Sequence, residues 1–184
     1  MRILHVFRSP VGGLFRHVRD LARGQEALGH DVGIFCDSST GGDTAAELLA
    51  ATSGHCSLGI NQRAISKLPG LGDVSTALNV RLLAKKLRID VIHGHGSKGG
   101  LYARLAGKMA GIPSVYTPHG GSLHYEWAKV PGPVFLGTEQ ALAHVGSGFI
   151  FVCEFEKALF ARKIGLAGRP SVVVHNGLCG LHLP

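Results

Sequence analysis

The sequence has no apolar run approaching the roughly 18 residues of a membrane-spanning helix. Its first apolar stretch, Ile3 to Phe7, is cut by Arg8 and Pro10, too early to be a secretory signal. Neither G-x-G-x-x-G nor a Walker A loop follows that stretch, which removes the standard dinucleotide and P-loop fingerprints. The four cysteines, Cys36, Cys56, Cys153 and Cys179, form no C-x-x-C pair and are expected as reduced, buried thiols of a cytoplasmic protein. Acidic residues are few, 12 against 19 Lys plus Arg, and the net charge of +7 favours anionic partners. Yet no basic cluster is interleaved with aromatics, so nucleic acid is not an expected partner; the tightest cluster, KKLR at 85–88, reads as a solvated helix end. Internal repeats and low-complexity tracts are also missing, and 184 residues set the scale of one domain.

What is present is alternation. Strand-like apolar runs occur at 2–7, 31–36, 56–60, 90–93, 114–117, 149–153 and 172–175. Several are apolar throughout, as strands covered on both faces must be. Helical patterns separate them. Leu14, Val18, Leu21 and Leu28 share a stripe before Gly29; Leu101, Leu105 and Met109 share another in a helix that Ser97 is expected to cap. DVSTALNVRLLAKKLRID forms a third, with Asp73 or Ser75 as its cap, and segment 37–55 holds a short one. The fold class is therefore α/β: a Rossmann-like, doubly wound, mainly parallel sheet of about seven strands with helices on both faces.

In such sheets ligands bind beyond the carboxyl ends of the strands, where the strand order reverses, here between strands one and four. Three glycine-rich segments follow strands. RSPVGG leads into a helix N-terminus suited to phosphate, although a plain tight turn is a competing account. HGHGSKGG places His93 and His95 on one face and then offers Ser97, Lys98 and a second helix N-terminus; a capped turn is its bland alternative. TPHGG holds His119 at a strand end, because Pro118 restricts Thr117 to extended geometry and Gly120 and Gly121 leave room for a ligand.

GGLFRHVRDLARGQEALGHDV, DVIHGHGSKGGLYARLAGKMAGIPSVYTPHG and VVVHNG, in this order, resemble the N-terminal half of retaining GT-B glycosyltransferases of glycosyltransferase family 4. The resemblance implies two Rossmann-like domains facing across a cleft, with the N-terminal one mainly receiving the acceptor. It implies that the Gly12–Gly13 loop meets the donor diphosphate or sugar, and that His119 lies near the donor sugar at the reaction centre. Glu154 matches a polar cleft position that in many relatives is the Glu of a Ser-Glu pair, with Cys153 here replacing the Ser. Asn176–Gly177 matches the crossing to the second domain. The glutamate motif of the family's nucleotide-sugar-binding C-terminal domain has no counterpart in this sequence.

The expectation is thus an N-terminal domain over 1–177, with 178–184 as the start of a linker or a truncated tail. It would be the acceptor-side half of a hexosyltransferase acting in polysaccharide biosynthesis, inactive alone. Its partners would be a nucleotide-sugar, a glycan or lipid-linked acceptor and the absent C-terminal domain. No tightly bound cofactor or metal is expected, the nucleotide-sugar being a substrate. Arg16, nearest the cleft, would meet an anionic acceptor, while Arg19 and Arg23 read as a solvated face. Weak, salt-sensitive contact with the inner face of an anionic membrane follows from the net charge, with no clearly amphipathic insertion helix. The competing functions are a metal hydrolase on His93, His95 and His119 and a non-catalytic sugar- or phosphate-binding module.

Overall fold

The computed structural model describes residues 1–177, so Cys179 and the segment 178–184 lie outside it. Seven strands build one sheet: β1 (Arg2–Val6), β2 (Asp31–Asp37), β3 (Ile60–Arg63), β4 (Val91–His95), β5 (Ser114–Thr117), β6 (Gly148–Phe151) and β7 (Ser171–Val173). Their order is β3-β2-β1-β4-β5-β6-β7, and every neighbouring pair is parallel. The order reverses between β1 and β4, as expected. Six α-helices connect them: α1 (Gly12–Ala27), α2 (Gly42–Ser53), α3 (Leu71–Lys86), α4 (Gly96–Ala110), α5 (Gly132–Ala143) and α6 (Glu154–Lys163).

Alternation along β1 and β2 distributes the core to two faces. Leu4, Val6 and Phe35 pack with Val80, Ala84 and Tyr102 of α3 and α4. Phe7, Val32, Ile34 and Cys36 pack instead with Phe15, Val18 and Leu49 of α1 and α2. A third cluster, around Tyr116, Phe149, Phe151 and Phe160, closes the far side under α5 and α6. Cys36 and Cys56 are unpaired and buried; burial pushes their thiols up to about 12 and about 11.

Four local readings need correction. Strand three lies at Ile60–Arg63, not 56–60: an edge strand paired only with β2 needs no apolar run, and INQR is mostly polar. Leu28 and Met109 are exposed, because the buried stripe of α1 runs through Phe15, Val18 and Ala22 and that of α4 through Tyr102, Ala103 and Ala106. Ser97 does not cap α4; the cap position is His95, and the Ser97 hydroxyl instead meets that of Ser122 at 3.0 Å. Asp73 sits inside the first turn of α3, where its carboxylate accepts from the Gly70 amide at 3.0 Å.

Gly99 explains how close α4 comes to the sheet. A Cβ there would lie 2.1 Å from the Val6 carbonyl oxygen, and one at Gly100 would lie 2.2 Å from the Tyr116 ring. The second glycine pair of HGHGSKGG thus serves helix-to-sheet packing, and its ligand-facing part is confined to its first residues.

Candidate functional site

The carboxyl ends of β1, β4 and β5 converge on a group of histidines. His5 and His93 are register partners on adjacent strands, and His95 lies one position beyond Gly94. All three are buried. Because Ile92 and Gly94 face the α3–α4 side, these imidazoles face α1. There they form a polar seam where neighbouring strands carry aliphatic side chains. The His93 and His95 ring centroids are 3.9 Å apart. His93 Nε2 meets Thr117 Oγ1 at 2.8 Å, tying β4 to β5. His5 Nδ1 meets His95 Nε2 at 2.9 Å, and His95 Nδ1 meets His119 Nε2 at 3.2 Å. His17, one turn into α1, stands edge-on to His119 at 4.9 Å.

His119 adopts φ 51°, a left-handed conformation uncommon outside glycine. Such backbone persists where the surroundings enforce it, and it concentrates at functional sites. Two carboxylates secure the surroundings. Glu156, buried in α6, accepts from the Gly120 amide at 2.6 Å and from the Val152 amide at 3.1 Å. Glu139, buried in α5, accepts from Tyr116 Oη at 2.9 Å and from Arg104 at 2.7 Å. Arg104 is fully buried, donates to the Gly100 carbonyl at 2.8 Å and lies 4.1 Å over the Tyr116 ring. The Ser122 hydroxyl at the base of the loop links this pair to Ser97.

His119, Gly120 and Gly121 open onto a crevice of about 520 Å³, with Leu123, Cys153 and Phe155 among its other walls. No atom lies within 4 Å of a Cβ built at Gly120, Gly12 or Gly13, so the backbone there is free to meet a ligand. Gly12 and Gly13 lie outside the lining of that crevice, at the start of α1 one turn before His17. Glu154 is exposed at the first position of α6; Glu156 is the acid that holds the loop. Lys98 is engaged elsewhere. Its ammonium contacts Asp73 at 2.6 Å and the Leu68 carbonyl at 3.0 Å. Burial would raise the Asp73 carboxyl, but the Lys98 and Tyr102 hydrogen bonds outweigh it and hold the pKa down. Arg16 is exposed, with Asp20 at 3.9 Å.

The sequence reading missed His5, His17, Arg104, Glu139 and Glu156. Only His5 carried a signal: a histidine amid Ile, Leu, Val and Phe is a polar group that must find a partner. The metal triad His93–His95–His119 also needs correction. Two other sets have ring nitrogens mutually within 4.8 Å, His5–His93–His95 and His17–His95–His119, and neither includes a carboxylate to activate water.

Burial lowers the pKa of these histidines. His5 and His119 fall to about 4, and His93 and His95 lie well below the usual value. Unfolded histidines titrate near 6.5, so between about pH 6.5 and 4 the unfolded chain binds more protons. Stability is therefore complete above about 6.5 and falls as pH drops through that window. At pH 5, His5 alone should account for on the order of 2 kcal/mol. Urea midpoints measured near pH 7.5 and pH 5 should show the decline; equal midpoints would mean that the cluster accepts protons without cost.

The seven-stranded parallel sheet, with a crevice beyond the carboxyl ends of β5 and β6 and a left-handed histidine on its wall, is a Rossmann-like domain of the GT-B kind. Residues 11–178 match the family Glycosyltransferase Family 4, and the chain belongs to that family. It is 39% identical over 107 residues to the UDP-Gal:alpha-D-GlcNAc-diphosphoundecaprenol alpha-1,3-galactosyltransferase of Escherichia coli; the match covers 58% of this chain and 28% of that enzyme. Among solved structures, Anabaena HepE in complex with UDP and glucose superposes with TM-score 0.74 at 20% identity, covering 97% of this chain and 45% of that one. Sucrose-phosphate synthase from Thermosynechococcus elongatus gives 0.72 at 16% identity, covering 97% and 49%. These structures share the fold, and the chain spans less than half of either.

Proposed function

We propose that this chain is the acceptor-side domain of a retaining glycosyltransferase that moves a sugar from a nucleotide-sugar to a lipid-linked or glycan acceptor. The observation that carries the reading is His119: left-handed, secured by its neighbours and open to a crevice beyond the carboxyl ends of β5 and β6. In this reading the free backbone at Gly12 and Gly13, at the N-terminus of α1, faces the donor diphosphate, where unpaired amides favour negative charge. His119, Gly120 and Gly121 face the transferred sugar, and Arg16 and Glu154 lie at the rim. Ser97 acts from behind, through Ser122, while Lys98 braces α3 through Asp73. The family's second domain supplies the nucleotide site.

A lipid-linked acceptor fits the E. coli relative, whose name specifies a diphosphoundecaprenol substrate. It also fits α3, where Leu71, Val74, Leu78 and Leu82 recur at helical spacing and are all exposed, near Lys85 and Lys86. This stripe departs from the purely electrostatic contact expected from the sequence. In this reading the contact is peripheral and at the cytoplasmic face; no helix among the described residues is long and apolar enough to cross a membrane.

The test is a pair of measurements on 1–184. It should bind a lipid diphosphate-linked sugar in detergent, yet release no nucleotide from UDP-sugars supplied with that acceptor. Turnover by 1–184 would refute the half-site assignment. Absence of acceptor binding would refute the acceptor role.

A further inference from the structure

The histidine seam is a directed chain of hydrogen bonds, and it begins outside the crevice. Gln25, in the last turn of α1, places its side-chain oxygen 2.8 Å from His5 Nε2. From there the chain runs His5 Nδ1 to His95 Nε2 at 2.9 Å, then His95 Nδ1 to His119 Nε2 at 3.2 Å. A neutral imidazole has one N–H and one bare nitrogen, so each ring can donate on one side only if it accepts on the other. Burial keeps these rings neutral near pH 7. The direction of the first bond therefore sets all the others.

We propose that Gln25, through His5 and His95, fixes the tautomer of His119. With its oxygen turned to His5, as in the structure, Gln25 accepts, so His5 carries its proton on Nε2 and leaves Nδ1 bare. His95 must then donate from Nε2, which leaves its Nδ1 to accept from His119 Nε2–H. His119 is left with a bare Nδ1, for which no partner is found among the described residues. It presents a hydrogen-bond acceptor to a ligand hydroxyl. A donor in place of the Gln25 oxygen would reverse every link, and His119 would present Nδ1–H instead. Gln25, His5 and His95 are thus positioning residues for His119. The consequence for catalysis rests on the transferase reading; the tautomer assignment does not.

Two-bond ¹H–¹⁵N correlation spectra of histidine-labelled 1–184 report each tautomer directly, with His119 assigned through His119→Asn. At neutral pH, His5, His95 and His119 should all be Nε2–H. Gln25→Met, which offers only a weak acceptor, should weaken that preference. Gln25→Lys, which can only donate, should switch all three to Nδ1–H. An Nδ1–H His119 in the unsubstituted chain, a mixture of tautomers, or a His119 signal indifferent to a folded Gln25→Lys would overturn the proposal. Should the lysine variant fail to fold, the unsubstituted and Gln25→Met spectra decide: the first must show Nε2–H and the second a weaker Nε2–H preference. In a chain that includes the donor-binding domain, Gln25→Lys should also lower kcat about tenfold, the value of one hydrogen bond. Reversal of the tautomer with unchanged kcat would leave the chain of bonds standing and remove His119 from the reaction; a lower kcat without reversal would sink the proposal.

Discussion

Replacing Glu139 with leucine should cost about 3–5 kcal/mol, the range found when one partner of a buried ion pair is removed. Arg104 has no solvent access and no other acid: its guanidinium relies on Glu139 at 2.7 Å and the Gly100 carbonyl at 2.8 Å, and Nη1 already lacks a partner. Without the carboxylate, a full positive charge stays buried over the Tyr116 ring. For a domain of this size the melting temperature should fall by about 10 °C. The Arg104→Met/Glu139→Leu double variant should recover most of the loss, since replacing a buried pair by apolar residues is often neutral. Urea unfolding of the three proteins checks both parts. A single variant within about 1 kcal/mol of the parent would show that water reaches Arg104.

Replacing His119 with alanine should do the reverse. In a chain with the donor-binding domain, turnover should fall by about 100-fold or more, the range for losing one preorganised polar contact at a reaction centre. Melting should barely change. The imidazole is partly exposed, its neighbours are polar, and Glu156 and Glu139 hold the loop from below without it. Turnover and melting temperature measured on the same variant decide between a chemical and a structural role. A large drop in melting temperature with unchanged turnover would make His119 a packing residue.

Together the two variants show which parts of the site could be read from sequence. His119 was legible because its constraints are local: a proline before it, two glycines after it and a strand end beneath it. The parallel sheet was legible because strands such as β1, β2 and β6 are covered on both faces and so are largely apolar. Glu139 and Glu156 were not. Each lies on a helix with other polar residues, and only the packing of α5 and α6 against β5 and β6 shows that it is buried. Strand β3 was misplaced for the opposite reason: as an edge it satisfies the ladder on one side and can be polar. Lys98 looked available for a ligand because its partner, Asp73, comes from a helix that sequence spacing alone does not bring beside it.

The placement of His5 and His95 has a further consequence. β1 and β4 are the strands at the reversal point, each hydrogen-bonded on both sides and covered by helices above and below. Backbone amides in such strands exchange with solvent chiefly through global unfolding, whereas residues 118–124 are held in large part by side chains and can open alone. β1 and β4 therefore belong to the slowest-exchanging part of the molecule, and the crevice wall at 118–124 to a faster one. The His95–His119 hydrogen bond thus joins a slow strand to a faster loop.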